Sequence, residues 1–310
     1  AAFGDLAGNG EQNIVISSWD NSYMDKNAVY CYSPFDKDGD HKPDLLWKKN
    51  IPYSMHQSPV IANLDGSSDG TMEVLIKSHQ TSDIFILDHN GKELRRLNPN
   101  VTDDRNRNYS ALTVADLDDD GQMEIIASYD SLGIYIWRQD GTPLTINPFW
   151  RAGDINLGSA PVVCDLNGDG KKELVFSQHN VAVSHVYAIS LEGDKTVDGW
   201  DGSQTIPYTT SYSLDHTLSV GDINNDGHLE VVILGRGVVK AWKHTGKEIF
   251  STPIDGLLPQ IDWAANVNTP ILADVDGDAI PDIVFCSKKF IYALHNDGSC
   301  LLYTSDAADD

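Results

Sequence analysis

Residues 113–128 read TVADLDDDGQMEIIAS, which is a short apolar strand, an acidic turn and a longer apolar strand in succession. The chain contains five further copies, whose first oxygen-bearing turn residues are Asp5, Asn63, Asp165, Asp222 and Asp274. Successive copies are 49 residues apart at the shortest step (116 to 165) and 58 at the longest (5 to 63). A repeat of this length is typical of folds in which one supersecondary unit stacks on the next.

Each copy continues with two more strands. An alternating apolar stretch such as Ile134-Tyr135-Ile136-Trp137 precedes a turn that ends in Gly, such as Asp140-Gly141. Glycine there supplies the positive φ of a tight antiparallel hairpin, and a weaker fourth strand follows. Four antiparallel strands at this period predict an all-β fold, a β-propeller of four-stranded blades with six repeat units visible. No stretch of about 11 residues shows helical periodicity, which argues against a parallel α/β fold.

The chain is strongly acidic, because 22 Lys and Arg residues stand against 46 Asp and Glu residues and the formal charge is −24. Such a surface repels nucleic-acid phosphates and anionic lipid headgroups, so we expect no nucleic-acid partner. No apolar run approaches the roughly 18 residues of a membrane span, so we expect no membrane insertion. The chain opens at Ala1 with neither Met nor a signal peptide, and we expect the native N-terminus to lie upstream.

The acidic turn has the ligand spacing of a calcium loop. It reads Asp-x-Asp/Asn-x-Asp-Gly-x-x-Glu/Asp, and positions 1, 3, 5, 6 and 9 of the third copy are Asp116, Asp118, Asp120, Gly121 and Glu124. Oxygens at these positions can surround one hard cation, and Ca²⁺ tolerates irregular oxygen geometry better than Mg²⁺. An EF-hand needs an acid at position 12, where these copies are apolar, so this is a different loop. The alternative is an Asx- and Gly-rich turn without metal.

We predict several Ca²⁺ sites as the cofactors of this protein. The predicted ligands are Asp36, Asp38, Asp40 and Asp44; Asn63, Asp65, Asp69 and Glu73; Asp116, Asp118, Asp120 and Glu124; Asp165, Asn167, Asp169 and Glu173; Asp222, Asn224, Asp226 and Glu230; and Asp274, Asp276, Asp278 and Asp282. The group at residues 36–44 lies outside the repeated turns, and Lys37 predicts that it is more exposed than the others. The first copy has Ala7 at position 3, so we expect a weak or empty site there.

The repeated turn before an apolar strand resembles the FG-GAP or VCBS repeat family, calcium-binding β-propellers similar to the N-terminal headpiece of integrin α chains. The resemblance covers residues 3–300, but Phe3-Gly4 is the sole Phe-Gly pair and no Gly-Ala-Pro follows the strands. The chain is therefore more similar to the bacterial secreted members than to integrins. The resemblance implies a ring of seven or eight blades in a secreted, periplasmic or cell-surface protein.

The last ten residues, LLYTSDAADD at 301–310, match no repeat unit. They resemble a translated sequencing adapter of the kind found at the ends of metagenomic gene fragments. The predicted domains are thus a propeller at residues 1–300, truncated at both ends, and a non-native tail at residues 301–310. We expect the propeller to be part of a larger multidomain protein.

Two functions are compatible with these features. The first is a non-catalytic, calcium-stabilised scaffold for binding or adhesion, because metal binding and folding account for every repeated chemical feature. The alternative is a calcium-dependent polysaccharide lyase, because residues 18–27 and His56 resemble parts of the rhamnogalacturonan lyases, which are also calcium-rich propellers. A lyase needs a base beside a calcium-bound uronate, and His56 is the candidate. No catalytic residue is assigned, and a binding protein is favoured over an enzyme.

Chain direction predicts where a ligand binds. The first strand of each copy enters the acidic turn and the second leaves it, so the start of the first and the end of the second lie at the opposite end. Residues predicted on that ligand face are Trp19, His56, His79, Tyr129, His179 and His216. His, Tyr and Trp side chains suit a glycan or a polar protein ligand. The alternative is that they are ordinary loop residues.

Overall fold

A computed structural model of the chain describes residues 1–18, 27–51, 57–78, 81–99, 110–129, 132–145, 147–150, 156–157, 160–179, 183–192, 195–207, 218–235, 237–254, 269–287 and 290–304. The secondary structure of these residues consists of 25 β-strands. A search of the same residues for a helix long and apolar enough to cross a bilayer finds none. The predicted all-β class is confirmed.

The strands belong to two compact units, residues 1–154 and residues 155–310. Unit 1 contains β1 (Ala2–Gly4), β2 (Asn13–Ser17), β3 (Ala28–Ser33), β4 (Asp44–Asn50), β5 (Val60–Ala62), β6 (Glu73–Lys77), β7 (Ile84–Leu87), β8 (Glu93–Leu97), β9 (Leu112–Ala115), β10 (Glu124–Tyr129) and β11 (Gly133–Trp137). Unit 2 contains β12 (Asn156–Leu157), β13 (Val162–Cys164), β14 (Glu173–His179), β15 (Val183–Ser190), β16 (Lys195–Thr196), β17 (Thr205–Pro207), β18 (Leu218–Gly221), β19 (Glu230–Gly235), β20 (Val238–Lys243), β21 (Glu248–Pro253), β22 (Ile271–Ala273), β23 (Asp282–Ser287), β24 (Phe290–Leu294) and β25 (Cys300–Thr304).

Unit 1 has three antiparallel sheets, one for each of its repeat copies. Sheet 1 is β1-β2-β3-β4, sheet 2 is β5-β6-β7-β8 and sheet 3 is β11-β10-β9. The fourth strand of sheet 3 is reduced to two bridges, Ile134 with Trp150 and Trp137 with Pro143. Pro143 and Pro148 lie in this segment, and because proline has no N–H it cannot continue a hydrogen-bonded ladder.

Unit 2 also has three sheets. Sheets 5 and 6 are the four-stranded β18-β19-β20-β21 and β22-β23-β24-β25. Sheet 4 has six strands, because β12 and β13 both pair with β14 while β16 and β17 both pair with β15. Residues 301–304 belong to β25 and pair with β24. The domain boundary placed at residue 300 stays a prediction.

The hydrophobic cores lie between consecutive sheets. In unit 1, Val15 of sheet 1 and Phe85 of sheet 2 belong to one core, and Leu75 of sheet 2 and Ile125 of sheet 3 belong to another. In unit 2, one core joins sheets 4 and 5 and another joins sheets 5 and 6. The second strands β6, β10 and β19 are buried along their whole length, which fits their continuous apolar sequences.

The acidic turns of a unit are neighbours, because the first strands of consecutive sheets contact each other. We call them loop 1 (5–13), loop 2 (63–73), loop 3 (116–124), loop 4 (165–173), loop 5 (222–230) and loop 6 (274–282). The backbone N–H of Met72 in loop 2 donates to Leu6 O in loop 1, at 3.0 Å. In unit 2, Asn225 of loop 5 donates its side-chain amide to Ala279 O of loop 6, at 2.6 Å.

Candidate metal sites

The carboxylate at position 1 organises the backbone of every loop except loop 2, which has the amide of Asn63 there. In loop 4, Asp165 accepts hydrogen bonds from the N–H groups of Gly168, Asp169 and Gly170 at 2.8, 3.0 and 2.9 Å. The residue at position 6 has the left-handed φ that glycine favours, 87° at Gly170. Loop 6 keeps this conformation at Ala279, with φ of 70°, although the glycine is missing.

The carboxylate at position 9 is buried beneath its loop. One of its oxygens accepts a hydrogen bond from the backbone N–H at position 2. The donor and acceptor pairs are Leu64 to Glu73 (2.9 Å), Leu117 to Glu124 (2.8 Å), Leu166 to Glu173 (2.8 Å), Ile223 to Glu230 (3.1 Å) and Val275 to Asp282 (3.0 Å). In loop 1 the amide oxygen of Asn13 takes the same place and accepts from Leu6 at 3.1 Å. Every repeat thus fixes an oxygen at position 9.

Three groups of predicted ligands converge on a point. The oxygens of Asp116, Asp118 and Glu124 lie within 4.8 Å of one another, as do those of Asp274, Asp276 and Asp282 and those of Asp36, Asp38 and Asp40. Loops 4 and 5 have an amide at position 3, and the oxygens of Asn167 and Asn224 each accept the N–H of the Asp at position 5. All the candidate metal-ligand atoms in these groups are oxygens, which hard cations prefer.

Loops 1 and 2 depart from this arrangement. In loop 2, one carboxylate oxygen of Asp69 already accepts hydrogen bonds from Ser67 Oγ and from the N–H and Oγ1 of Thr71, at 2.8 to 2.9 Å. The N–H and hydroxyl of Thr71 are the main causes that lower the pKa of Asp69. In loop 1, Asp5 accepts the N–H groups of Asn9 and Gly10, but Ala7 offers no side-chain oxygen. The weak or empty site predicted there stays a prediction.

The group at residues 36–44 forms the turn between β3 and β4. Asp36 accepts the N–H groups of Gly39 (2.6 Å) and His41 (2.8 Å), and Asp44 accepts the N–H of Lys37 at 3.0 Å. These contacts repeat the position-1 and position-9 pattern of the acidic loops. The three clustered aspartates and Lys37 are all exposed, as the Lys37 side chain led us to predict.

The loops concentrate negative charge around buried carboxyls. Burial is the largest cause that raises the pKa at four position-9 residues, and the charges of the neighbouring aspartates raise it further, at Glu73, Glu124, Glu173 and Glu230. The Glu230 side chain is fully buried, and its Oε1 has no hydrogen-bond partner among the described residues. An ionised oxygen in this position is costly unless a cation or a hydrogen-bond donor meets it.

The turn between the third and fourth strands holds the acidic loop of the same sheet through the side chain at position 7. We call these the position-7 contacts. They are the Glu11–Lys37 ion pair (2.8 Å), the hydrogen bond from Gln139 to Gln122 (2.6 Å), the Lys171–Glu192 ion pair (2.7 Å) and the stacked rings of His228 and His244 (centroids 4.4 Å apart). The sequence alone does not reveal these contacts, because the two partners are separated by two strands.

The predicted ligand face is only partly described. Trp19, His56, His79 and His216 lie outside the described residues, and His179 ends β14. Tyr129 requires a correction, because it is fully buried and its hydroxyl donates to the Ser82 carbonyl at 3.0 Å. Its ring also packs edge-on against Tyr135, with centroids 5.4 Å apart. Tyr129 therefore belongs to the core between sheets 2 and 3 and is unavailable to a ligand.

Comparison with known sequences supports the repeat assignment. Residues 192–285, which include loops 5 and 6, match the FG-GAP-like repeat family. The chain is 23% identical over 265 residues to the T-cell immunomodulatory protein homolog of Plasmodium yoelii yoelii, a match that covers 74% of this chain. The match covers 37% of that relative, so the chain spans little more than a third of its length.

Solved structures share the fold at low sequence identity. BBS1N, crystallised in complex with ARL6DN, is 11% identical with a TM-score of 0.61, over 99% of this chain and 81% of that one. The Dos1 propeller is 14% identical with a TM-score of 0.58, over 96% and 68%. A Bacillus licheniformis rhamnogalacturonan lyase is 18% identical with a TM-score of 0.55, over 97% and 56%. The repeated sheets and these neighbours identify the fold as a β-propeller, and residues 192–285 match FG-GAP-like repeats.

Proposed function

We propose that the acidic loops bind Ca²⁺ and that the protein is a calcium-stabilised scaffold for non-catalytic binding. The observation that carries the proposal is Oε1 of Glu230, a buried oxygen with no hydrogen-bond partner among the described residues, in a loop that also holds Asp222 and Asp226. A dication bound there would supply the missing partner and offset the mutual repulsion of the carboxylates. Oxygen-only donors at irregular spacing favour Ca²⁺ over Mg²⁺.

Bound calcium would act mainly on stability. For a site with a Kd of about 10⁻⁴ M in about 1 mM calcium, binding contributes about 1.4 kcal/mol to the free energy of unfolding. Five such sites would contribute about 7 kcal/mol, which is comparable with the whole stability of a typical domain. Sites of this assumed affinity would fill in the millimolar calcium outside cells, so the proposal includes a secreted or cell-surface location.

The test is thermal unfolding of the whole chain in EGTA, in calcium and in magnesium. We expect chelation to lower the melting temperature by many degrees, calcium to restore it and magnesium to restore little of it. Equal melting temperatures in the three buffers would contradict calcium binding. The scaffold function would then lose its basis as well.

The partner of the scaffold is proposed to be a glycan or a polar protein surface. Loops on rigid sheets are the usual place for binding residues, and the −24 charge disfavours anionic partners. A glycan array probed with and without calcium tests this. Binding that requires calcium would support the proposal, whereas absence of binding to glycans in calcium would redirect it to a protein partner.

A polysaccharide lyase is the second candidate. It is favoured by the similarity in fold to the Bacillus licheniformis rhamnogalacturonan lyase, which at 18% identity concerns the fold alone. The candidate base His56 lies outside the described residues, so its surroundings supply no argument. Incubation with pectic polymers in calcium decides the matter, because a lyase produces unsaturated uronates that absorb ultraviolet light and a binding protein does not.

A further inference from the structure

The residue that faces the position-9 carboxylate across the sheet differs in charge from repeat to repeat. Glu230 pairs in register with Lys243, and Glu173 pairs with Ser190. In sheet 3, Ile125 pairs with Trp137, so the next pair along the strands sets Glu124 opposite Arg138. We call this the facing position. Cross-strand neighbours on one face are close enough to interact electrostatically.

Two facing residues carry a permanent positive charge into their loop. Lys243 Nζ lies 3.7 Å from Asp226 Oδ2 in loop 5, and Arg138 Nη2 lies 3.8 Å from Asp118 Oδ2 in loop 3. Asp226 stands at position 5 and Asp118 at position 3, so both carboxylates are proposed cation ligands. Burial dominates the pKa of Glu230 and raises it, whereas the charge of Lys243 acts in the opposite direction. Lys243 therefore interacts with the same carboxylates that a bound cation would contact.

Ser190 makes sheet 4 a natural control. It is neutral, and its Oγ accepts the N–H of Glu192 at 3.2 Å. The lysine of loop 4, Lys171, is directed to Glu192 in the position-7 contact. Loop 4 thus keeps the position-9 carboxylate and the oxygen ligands without a positive charge at the facing position.

We propose that the facing residue tunes the cation affinity of its own loop, with Lys243 and Arg138 acting as attached positive charges that weaken cation binding. The proposal rests on the proposed function, calcium binding in the acidic loops. The attached charge repels an incoming dication and stabilises the cation-free carboxylates, so both effects lower affinity. Half-exposed ion pairs of about 0.2–1 kcal/mol correspond to about 1.4- to 5-fold in Kd.

Each loop has its own reporter for a titration. The position-2 side chains of loops 4 and 5, Leu166 and Ile223, are buried, and their N–H groups donate to the position-9 carboxylate. Methyl NMR signals of these side chains, followed during calcium addition, give a midpoint for each loop. Lys243→Met keeps the aliphatic stem and removes the charge, whereas Lys243→Arg keeps the charge. Ser190→Lys adds a charge to loop 4, with Ser190→Ala as its control.

We expect the Ile223 midpoint in Lys243→Met to fall about 1.4- to 5-fold, with the Leu166 midpoint unchanged and Lys243→Arg close to wild type. In Ser190→Lys the Leu166 midpoint should rise relative to Ser190→Ala. Raising the salt concentration should narrow the gap between wild type and Lys243→Met, because salt screens the attached charge but not a packing change.

An unchanged or higher Ile223 midpoint in Lys243→Met, with loop 4 titrating normally, would overturn the facing-residue proposal and leave calcium binding intact. No calcium-dependent change at either methyl group in the wild type would instead contradict the proposed function.

Discussion

At the scale of single residues, Glu230 is a buried carboxylate whose ionisation destabilises the fold in the absence of a cation. Its Oε2 accepts the N–H of Ile223 while its Oε1 remains without a described partner in a fully buried site. Because the pKa of Glu230 is raised in the folded state, ionisation at neutral pH costs folding free energy. Under the proposed calcium binding, a cation beside Oε1 would offset this cost.

Glu230→Gln should therefore have opposite effects in the two buffers. In EGTA we expect an equal or higher melting temperature than wild type, because the buried charge is gone while the Ile223 hydrogen bond remains. In calcium we expect a smaller calcium-induced rise, by about the contribution of one site, about 1–2 kcal/mol. Calorimetry in both buffers measures this. Glu248→Gln, in an exposed acid of the same sheet, is the control: it removes the ion pair with Lys240 (3.0 Å), so it should lower stability by at most about 1 kcal/mol in both buffers and leave the calcium-induced rise unchanged.

Tyr129, unlike Glu230, is a buried polar residue whose hydrogen bond stabilises the core. Tyr129→Phe keeps the ring contacts and removes the hydrogen bond to Ser82, so we expect the free energy of unfolding to fall by about 1 kcal/mol. Urea unfolding should show a lower midpoint with an unchanged slope. Tyr30→Phe is the matched control, because the Tyr30 ring contacts Lys48 through its face and should lose little. A loss of ligand binding in Tyr129→Phe at unchanged stability would restore Tyr129 to the ligand face.

At the scale of elements, the loops are constrained by each other as well as by their own sequences. Gly8 of loop 1 has φ of 65°, and a Cβ there would lie 2.7 Å from the Gly70 carbonyl carbon of loop 2. Gly10 has φ of 85°, and a Cβ there would meet nothing within 4 Å. Gly8 is therefore required both for its left-handed φ and for the close approach of loop 2, whereas Gly10 is required only for its φ.

Substitution of these two glycines separates backbone strain from contact between loops. Gly10→Ala should cost about 1–2 kcal/mol, the ordinary cost of a left-handed alanine. Gly8→Ala should cost about 1–3 kcal/mol more, because the backbone of loop 2 must move. Urea unfolding of both variants measures the difference. Equal losses would mean that loops 1 and 2 are not in contact in solution.

Most strands were predictable from the sequence, but the shortest ones were not. Strand existence followed from local patterns, such as the acidic turn before the continuous apolar run of β10, and the structure confirms it. The extra strands of sheet 4 were missed, because β12, β16 and β17 have only two or three residues each and no periodicity to detect. The spacing of the acidic residues within a loop was readable for the same local reason, and cation binding by them stays a prediction.

Contacts between distant segments were beyond that reasoning. Lys243 and Arg138 could have been found only from strand register, since a facing residue is defined by a pairing and not by a motif. The prediction that Tyr129 lies on the ligand face was wrong. Its position at the end of β10 does place it at the end of the sheet opposite the acidic turn, but chain position does not give the direction of the side chain. The burial of that ring depends on the neighbouring sheet.

At the scale of the whole molecule, net charge should be a second control on stability. With a formal charge of −24, the folded chain repels itself, and the carboxylate clusters add local repulsion. In EGTA we expect the melting temperature to rise as NaCl increases from about 20 to 500 mM, because the Debye length shortens over this range. In calcium the rise should be smaller, because bound cations already offset part of the charge. An equal rise in melting temperature in both buffers would mean that the destabilising repulsion comes from charges outside the acidic loops.

The position-7 contacts have a consequence for how such repeats can be recombined. Four repeats join the acidic loop to its own turn, two by a Lys–Glu ion pair of opposite polarity, one by an amide hydrogen bond and one by stacked rings. A loop transplanted alone from sheet 4 to sheet 5 would set Lys171 against His244 and leave Glu192 behind. The exchangeable module is therefore the loop together with a turn that follows it two strands later. Repeats that diverge by point substitution must change both partners in step, whereas duplication of a whole repeat copies a matched pair at once.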